Sequence, residues 1–94
     1  MDALQHKWHK TTLMPITSIS KLFGLAVRRR RLAAGFSQEH LAERAALHPT
    51  YISMVERSVR KPTLEACARI AMALRVSLPR LIEEAQQRRG SDPK

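Results

Sequence analysis

Residues 37–57 read SQEHLAERAALHPTYISMVER, and the stretch divides into two short amphipathic segments with a brief interruption between them. Ser37 carries the hydroxyl that a helix N-cap prefers. The apolar side chains that follow recur on one face of a helix: Leu41, Ala42 and Ala45. The next two residues leave room only for a tight turn. The pattern therefore predicts two short helices packed at a steep angle.

The second segment has its own start signal and two different faces. His48 is a candidate N-cap, and Pro49 suits a first helical position because its missing N–H would be unpaired there anyway. Ile52 and Val55 are predicted to point inward. The opposite face carries short or flexible side chains: Thr50, Ser53, Met54 and Arg57. Such groups can lie against base edges in a DNA major groove, so we predict that these four read DNA bases.

Three motifs around this helix pair occur together: Ser37-Gln38-Glu39 with Leu41-Ala42, Tyr51-Ile52-Ser53 with Glu56-Arg57, and Arg31 six residues before Ser37. With them the chain resembles the lambda Cro and repressor type of helix-turn-helix protein, the XRE family. The resemblance covers roughly residues 23–87. It implies an all-α, compact five-helix lambda-repressor-like DNA-binding domain with a central helix-turn-helix.

The resemblance also implies roles for individual residues. In such proteins the positions of Arg31 and Glu56 form a structural ion pair between the first helix and the recognition helix. The positions of Gln38 and Tyr51 bind DNA phosphates, and both side chains have the hydrogen-bond donors for that role. Two positions depart from the family, because Ala46 and Ser58 stand where glycine is usual. If those backbones have positive φ, each substitution costs on the order of 1 kcal/mol.

A basic loop is predicted between the third and fourth helices. Arg60 and Lys61 lie within residues 58–62, directly before Thr63, which can cap the fourth helix. Cations beside a helix N-terminus favour phosphate, so we expect both to bind the DNA backbone. The fourth helix is predicted to bury a set of apolar side chains: Leu64, Cys67, Ala68, Ala71 and Leu74. Cys67, the single cysteine, is expected to be a buried thiol without a redox role.

Composition sets the class of partner. The chain has 94 residues with 17 Lys and Arg against 8 Asp and Glu, a formal charge of +9 and a pI near 11.1. One small domain with this charge favours a polyanion, and double-stranded DNA is the first candidate. No apolar run approaches the roughly 20 residues that span a bilayer, and no signal peptide is visible, so we expect no membrane partner and a cytoplasmic location.

The sequence contains no pattern typical of catalysis. It has no glycine-rich phosphate loop, no carboxylate pair at a useful spacing and no Ser/His/Asp constellation, so we predict that the protein is not an enzyme. His6 and His9 have a spacing compatible with two metal ligands, but nothing nearby completes a site. We expect no metal, no cofactor and no small-molecule effector.

The domain is expected to occupy residues 21–88, between an N-terminal tail of residues 1–20 and a C-terminal tail of residues 89–94. The N-terminal tail is expected to be mobile or to dock only in a dimer, through the region around Trp8. The first helix is predicted to begin after Ser18 or Ser20 and to end at Gly35. Its arginine run, residues 28–30, is predicted to be partly solvated, and whether one of the three contacts phosphate stays open.

The fifth predicted helix has an apolar stripe at i, i+3, i+4 and i+7: Leu78, Leu81, Ile82 and Ala85. Part of this stripe is expected to close the core, and the remainder is the predicted dimer interface. After it, residues 86–90 are expected to form a polar end.

These features predict a dimeric, sequence-specific transcriptional regulator that binds a pseudo-palindromic operator and resembles restriction-modification controller proteins and small phage repressors. Two alternatives stay open. One is an antitoxin that represses its own operon, and the other is a protein-interaction adaptor or anti-repressor that uses the fifth helix. The salt dependence of duplex binding separates the adaptor from the DNA-binding proteins.

Overall fold

The computed structural model describes the backbone of residues 16–91 and the side chains of residues 19–87. This part of the chain forms five helices and no strand: α1 (Ile16–Ala33), α2 (Gln38–Ala45), α3 (Pro49–Glu56), α4 (Leu64–Ala73) and α5 (Leu78–Ser91). The prediction of an all-α, five-helix fold is confirmed.

Polar side chains begin four of these helices, and three of them, Ser37, His48 and Thr63, are the caps predicted from the sequence. Ser37 Oγ and Thr63 Oγ1 each accept a hydrogen bond from a backbone N–H three residues later, at 2.9 and 3.0 Å. His48 Nδ1 accepts one from the N–H two residues later at 3.1 Å, and Ser77 Oγ accepts one at 3.2 Å. Each bond pairs a donor that the first helical turn leaves without an intrahelical partner. The boundaries of α2 to α5 are therefore encoded locally.

Left-handed backbone ends four of the helices. Gly35 after α1 has φ 77°, and the residues that follow α2, α3 and α4 have similar values: Ala46 φ 58°, Ser58 φ 66° and Arg75 φ 61°. Ala46 and Ser58 thus adopt the conformation for which the family that the sequence resembles usually has glycine. A side chain with a Cβ costs about 1 to 2 kcal/mol in this region, so the turns are strained but the fold is unchanged.

The core gathers the inward faces of all five helices around the helix-turn-helix pair. Its largest fully buried side chains are Val27, Leu41, Ile52, Val55, Ile70 and Leu81. α3 packs against α1 and α2, α4 packs against α2 and α5, and α5 packs along α1. These contacts hold α3 from behind and leave its opposite face on the surface.

The close approach of α1 to α3 requires a glycine. A Cβ atom at Gly24 would collide with the backbone oxygen of Val55 and would lie 3.1 Å from that of Glu56. Because both obstacles are backbone atoms, they cannot move aside as a flexible side chain would. Gly24 therefore sets the distance between α1 and the C-terminal end of α3.

The ends of α1 and α5 differ from the predictions. α1 begins at Ile16, before Ser18 and Ser20, and α5 continues to Ser91. Serine lowers helix propensity only slightly, and the Gln and Arg residues after Ala85 are good helix formers, so neither stretch stops a helix. The boundaries predicted at residues 20 and 88 therefore fall inside helices. The predictions for His6, Trp8 and His9, and for most of the N-terminal tail, concern residues outside those that the structure describes.

The buried face of α4 also differs from the prediction. Leu64 is 79% exposed and Ala68 is exposed, whereas Ile70 is completely buried. Ile70 fixes the rotation of the helix, because its large side chain fills the core while Leu64 sits at the first position and points outward. Cys67 is buried, as predicted, and this burial raises the pKa of its thiol.

Candidate nucleic-acid interface

A buried ion pair lies behind the exposed face of α3. Arg31 Nε and Nη2 donate hydrogen bonds of 2.7 and 3.0 Å to the two carboxylate oxygens of Glu56. The two side chains are 9% and 2% exposed. The Arg31 Nη1 atom also donates to the Phe36 carbonyl oxygen at 2.8 Å. The hydrogen bonds to Glu56 raise the pKa of Arg31 above its ordinary value. The pair therefore fastens α1, the α1–α2 turn and the end of α3 together.

Gln38 joins this network at the first position of α2. Its Nε2 atom donates to Glu56 Oε1 at 3.1 Å, and its side chain is half-buried. An amide nitrogen has two donors, so this bond uses one N–H and leaves the other for a further acceptor. The network consequently fixes the position of a side chain that the sequence assigns to DNA phosphate.

The four residues predicted to read bases lie on one surface of α3 and its C-terminal end. Thr50 and Arg57 are exposed, and Ser53 and Met54 are half-buried. Arg57 Nε donates to Ser53 Oγ at 3.3 Å. Ile52, at 0% exposure, lies on the opposite side of the helix, as predicted. This surface combines hydroxyl groups, a methyl group and a guanidinium without a carboxylate among them.

The basic loop is tied to α3 through Tyr51. The Arg60 guanidinium lies over the Tyr51 ring, 5.2 Å from its centroid, and the Tyr51 hydroxyl oxygen accepts a hydrogen bond from the Thr63 N–H at 3.2 Å. Arg60 and Lys61 are both exposed. The Tyr51 hydroxyl retains its own proton for an outside acceptor, because it accepts the bond from Thr63. The loop is thus held beside the N-terminus of α4 with its cations in solvent.

A second ion-pair cluster joins α1 to α5. Arg30 Nε donates to Glu84 Oε1 at 3.0 Å and Arg30 Nη2 contacts Glu84 Oε2, while Arg80 Nε lies 3.3 Å from Glu84 Oε2. The hydrogen bond from Arg30 holds the pKa of Glu84 below its ordinary value. Sequence reasoning missed this cluster because Arg30 and Glu84 are 54 positions apart and no local spacing relates them.

The predicted dimer interface on α5 requires a correction. Leu81 and Ala85 are 0% and 3% exposed, so both are used inside the monomer and have no surface for a partner. Leu78 and Ile82 are half-buried and pack at the edge of the core. Leu81 and Ala85 lie in the middle of the apolar stripe, and this part of α5 packs against α1 and α4. Of the four residues of the stripe, Leu78 and Ile82 are the two that keep apolar surface exposed to solvent.

Two further properties concern the described residues alone. Residues 19–87 contain no group of three His, Cys, Asp or Glu side chains arranged to hold a metal ion. The helices of the described part are too short or too polar to cross a bilayer.

Comparison with known proteins places this arrangement in a family. Residues 27–81 match the Helix-turn-helix family, and the chain belongs to it. It is 42% identical over 64 residues to the control protein C.SmaI of Serratia marcescens, a match that covers 68% of this chain and 76% of that protein. The relatives are regulators and controllers of the XRE type, a class without enzymes.

Two other similarities extend the comparison. The crystal structure of the restriction-modification controller protein C.AhdI from Aeromonas hydrophila superposes with a TM-score of 0.64 at 35% identity, over 66% of this chain and 94% of that chain. An HTH-type transcriptional regulator of Mycobacterium tuberculosis is 44% identical over 54 residues. That match spans 57% of this chain and only 39% of the mycobacterial protein.

Proposed function

We propose that this protein is a sequence-specific double-stranded DNA-binding transcriptional regulator that acts as a homodimer at a pseudo-palindromic operator. The observation that carries the proposal is the outward face of α3, which is free of carboxylates and held in place by the buried pair of Arg31 and Glu56. An α-helix with its side chains is about 10–12 Å across. The major groove of B-DNA is about 12 Å wide and accepts such a helix.

Base reading is assigned to the surface of α3: Thr50, Ser53, Met54 and Arg57. Thr50 and Met54 can contact thymine methyl groups, and Arg57 can donate two hydrogen bonds to guanine. Serine and threonine hydroxyls accept several bases, so the operator sequence does not follow from these side chains.

Phosphate binding is assigned to the two ends of the recognition surface. Arg60 and Lys61 present cations beside the N-terminus of α4, where backbone N–H groups also favour anions. Tyr51 and Gln38 each keep one donor after their contacts inside the protein. Contacts of this kind set the register of the helix in the groove without reading sequence.

Dimerisation is proposed because the recognition surface of one domain is too small to read a full operator. One domain offers one recognition helix, which reads about half a site, and two such helices must be about 34 Å apart to enter successive major grooves. Leu78 and Ile82 on α5 are the proposed contact, since α3 and the basic loop face DNA. Similarity to C.SmaI and C.AhdI favours a controller of restriction-modification genes over an antitoxin.

The test is to separate the two kinds of contact on duplexes selected from a random-sequence pool. Arg60→Ala and Lys61→Ala should weaken every duplex about equally and lower the slope of log K against log salt by about 0.9 for each lost phosphate contact. Thr50→Ala and Met54→Ala should instead change which sequences are preferred, by about 1 to 3 kcal/mol at the affected base pair.

Arg75→Ala serves as the matched charge control. Arg75 is exposed at the C-terminal end of α4, about 15 Å by helical rise from the basic loop at its other end. Loss of this charge should leave the salt slope unchanged. A wild-type protein that shows no salt-dependent retention of duplex DNA would overturn the proposal and favour the adaptor.

A further inference from the structure

The geometry of α1 orients its arginine run. Gly24 meets the C-terminal end of α3, and Arg31, two turns later, pairs with Glu56. At 100° per residue, Arg28 lies about 40° around the helix from Gly24 and about 60° from Arg31. Arg28 is exposed. It therefore lies at the edge of α1 that borders the end of the recognition helix.

The neighbouring cations on α1 are arranged differently. Arg31 is paired with Glu56 in the interior. Arg30 lies on the side of α1 opposite Arg28, where it binds Glu84. Lys21 shares the edge with Arg28 but lies two turns nearer the start of α1, about 10 Å away. Arg28 is thus the exposed cation of α1 nearest to the end of α3.

This edge lies on a different flank of α3 from the basic loop. The loop is tied to Tyr51, and α1 is tied to Glu56. These two residues are about 140° apart around α3. A helix seated in the major groove has a phosphate backbone along each flank. The basic loop places Arg60 and Lys61 on the Tyr51 flank of α3. On the Glu56 flank, the phosphate ligand assigned so far is Gln38, whose amide is uncharged.

We propose that Arg28 binds a backbone phosphate on the flank of the recognition helix opposite Arg60 and Lys61, so that the groove is gripped on both sides. The inference rests on the proposed DNA binding and assigns a phosphate ligand to α1. Helix α1 then has two roles, because its buried edge positions α3 and its exposed edge binds the same DNA.

The experiment measures binding of the full chain to a selected duplex and to an unrelated duplex over a range of salt. Arg28→Ala should weaken both about fivefold to tenfold near 0.1 M salt and lower the slope of log K against log salt by about 0.9. Arg28→Lys should keep most of the slope, because a lysine still releases a counterion. Arg75→Ala should match the wild type.

One stability control and two distinguishable outcomes decide the result. Arg28 is exposed on a helix, so Arg28→Ala should unfold within about 0.5 kcal/mol of the wild type. If the wild type binds duplexes but Arg28→Ala leaves its salt slope unchanged, this assignment is wrong while the proposed function stands. If the wild type binds no duplex at low salt, the proposed function itself fails.

Discussion

At the scale of single residues, the helix-turn-helix keeps a left-handed turn without the glycine that usually makes it. Ala46 and Ser58 have φ of 58° and 66°, and each ends a helix of the recognition pair. At Ala46 the following N–H returns to the Ala42 carbonyl oxygen at 2.9 Å, which closes the helix. This hydrogen bond stabilises the left-handed backbone at Ala46, and the Cβ atom of the alanine makes that conformation strained.

Replacing Ala46 with glycine should therefore stabilise the protein. Ala46→Gly and Ser58→Gly should each raise the free energy of unfolding by about 0.5 to 1 kcal/mol, because the relief of strain exceeds the added flexibility of the unfolded chain. Chemical denaturation measures the change. Ala68→Gly, at an exposed interior position of α4, is the control and should lower stability by about 1 kcal/mol. If Ala46→Gly lowered the free energy of unfolding as much as Ala68→Gly does, there would be no strain at Ala46.

Removing one partner of the buried ion pair should lower the free energy of unfolding substantially. Glu56→Gln keeps the shape of the side chain but leaves the Arg31 charge uncompensated at 9% exposure, so unfolding should become easier by about 3 kcal/mol. The double variant Arg31→Met, Glu56→Met should recover most of that loss, since no buried charge remains. A change below about 1 kcal/mol in Glu56→Gln, measured by thermal and chemical unfolding, would show that the pair is solvated.

At the scale of helices, the locally encoded features could be predicted and the long-range ones could not. The caps Ser37 and His48 and the inward face of α3 depend on residues within one or two helical turns, so the sequence contains them. The rotation of α4 depends on how Ile70 meets the rest of the core. The contact of Arg30 with Glu84 requires the folded arrangement of α1 and α5.

The contact between α1 and α5 should make stability depend on acid pH. Arg30 holds the folded-state pKa of Glu84 below its ordinary value of 4.5, so in this range the unfolded chain binds more protons. The contribution is present above pH 4.5 and disappears as the pH falls through the lower folded pKa. Glu84→Gln should remove this part of the acid dependence in unfolding curves. Identical acid limbs in variant and wild type would contradict it.

At the scale of the whole molecule, the apolar stripe of α5 is divided between the core and the edge of the monomer. The stripe on α5 predicted both core and dimer contacts, and the structure places Leu81 and Ala85 entirely in the core. An apolar period in a sequence identifies the buried face of a helix, but it does not distinguish burial inside one chain from burial between two chains. Leu78 and Ile82 remain for the proposed partner.

A charge at the edge of this stripe should separate folding from assembly. Ile82→Glu should shift the protein to monomers in sedimentation at micromolar concentration and weaken operator binding, because a single half-site is bound weakly. Far-UV circular dichroism checks that the helices persist. Gln86→Glu adds a charge at an exposed α5 position and should leave the dimer intact. A wild type that sediments as a monomer and forms no dimer on operator DNA would contradict the assembly.

Hydroxyl-radical footprinting shows whether two copies of α3 read one DNA site. On the tightest duplex from a random-sequence pool, the wild type should protect two stretches of related sequence centred about 10 base pairs, or about 34 Å, apart on one face of the helix. Met54→Ala should alter the sequences selected within both stretches. A single protected stretch, or uniform weak protection of all duplexes, would contradict the reading of one site by two copies of α3.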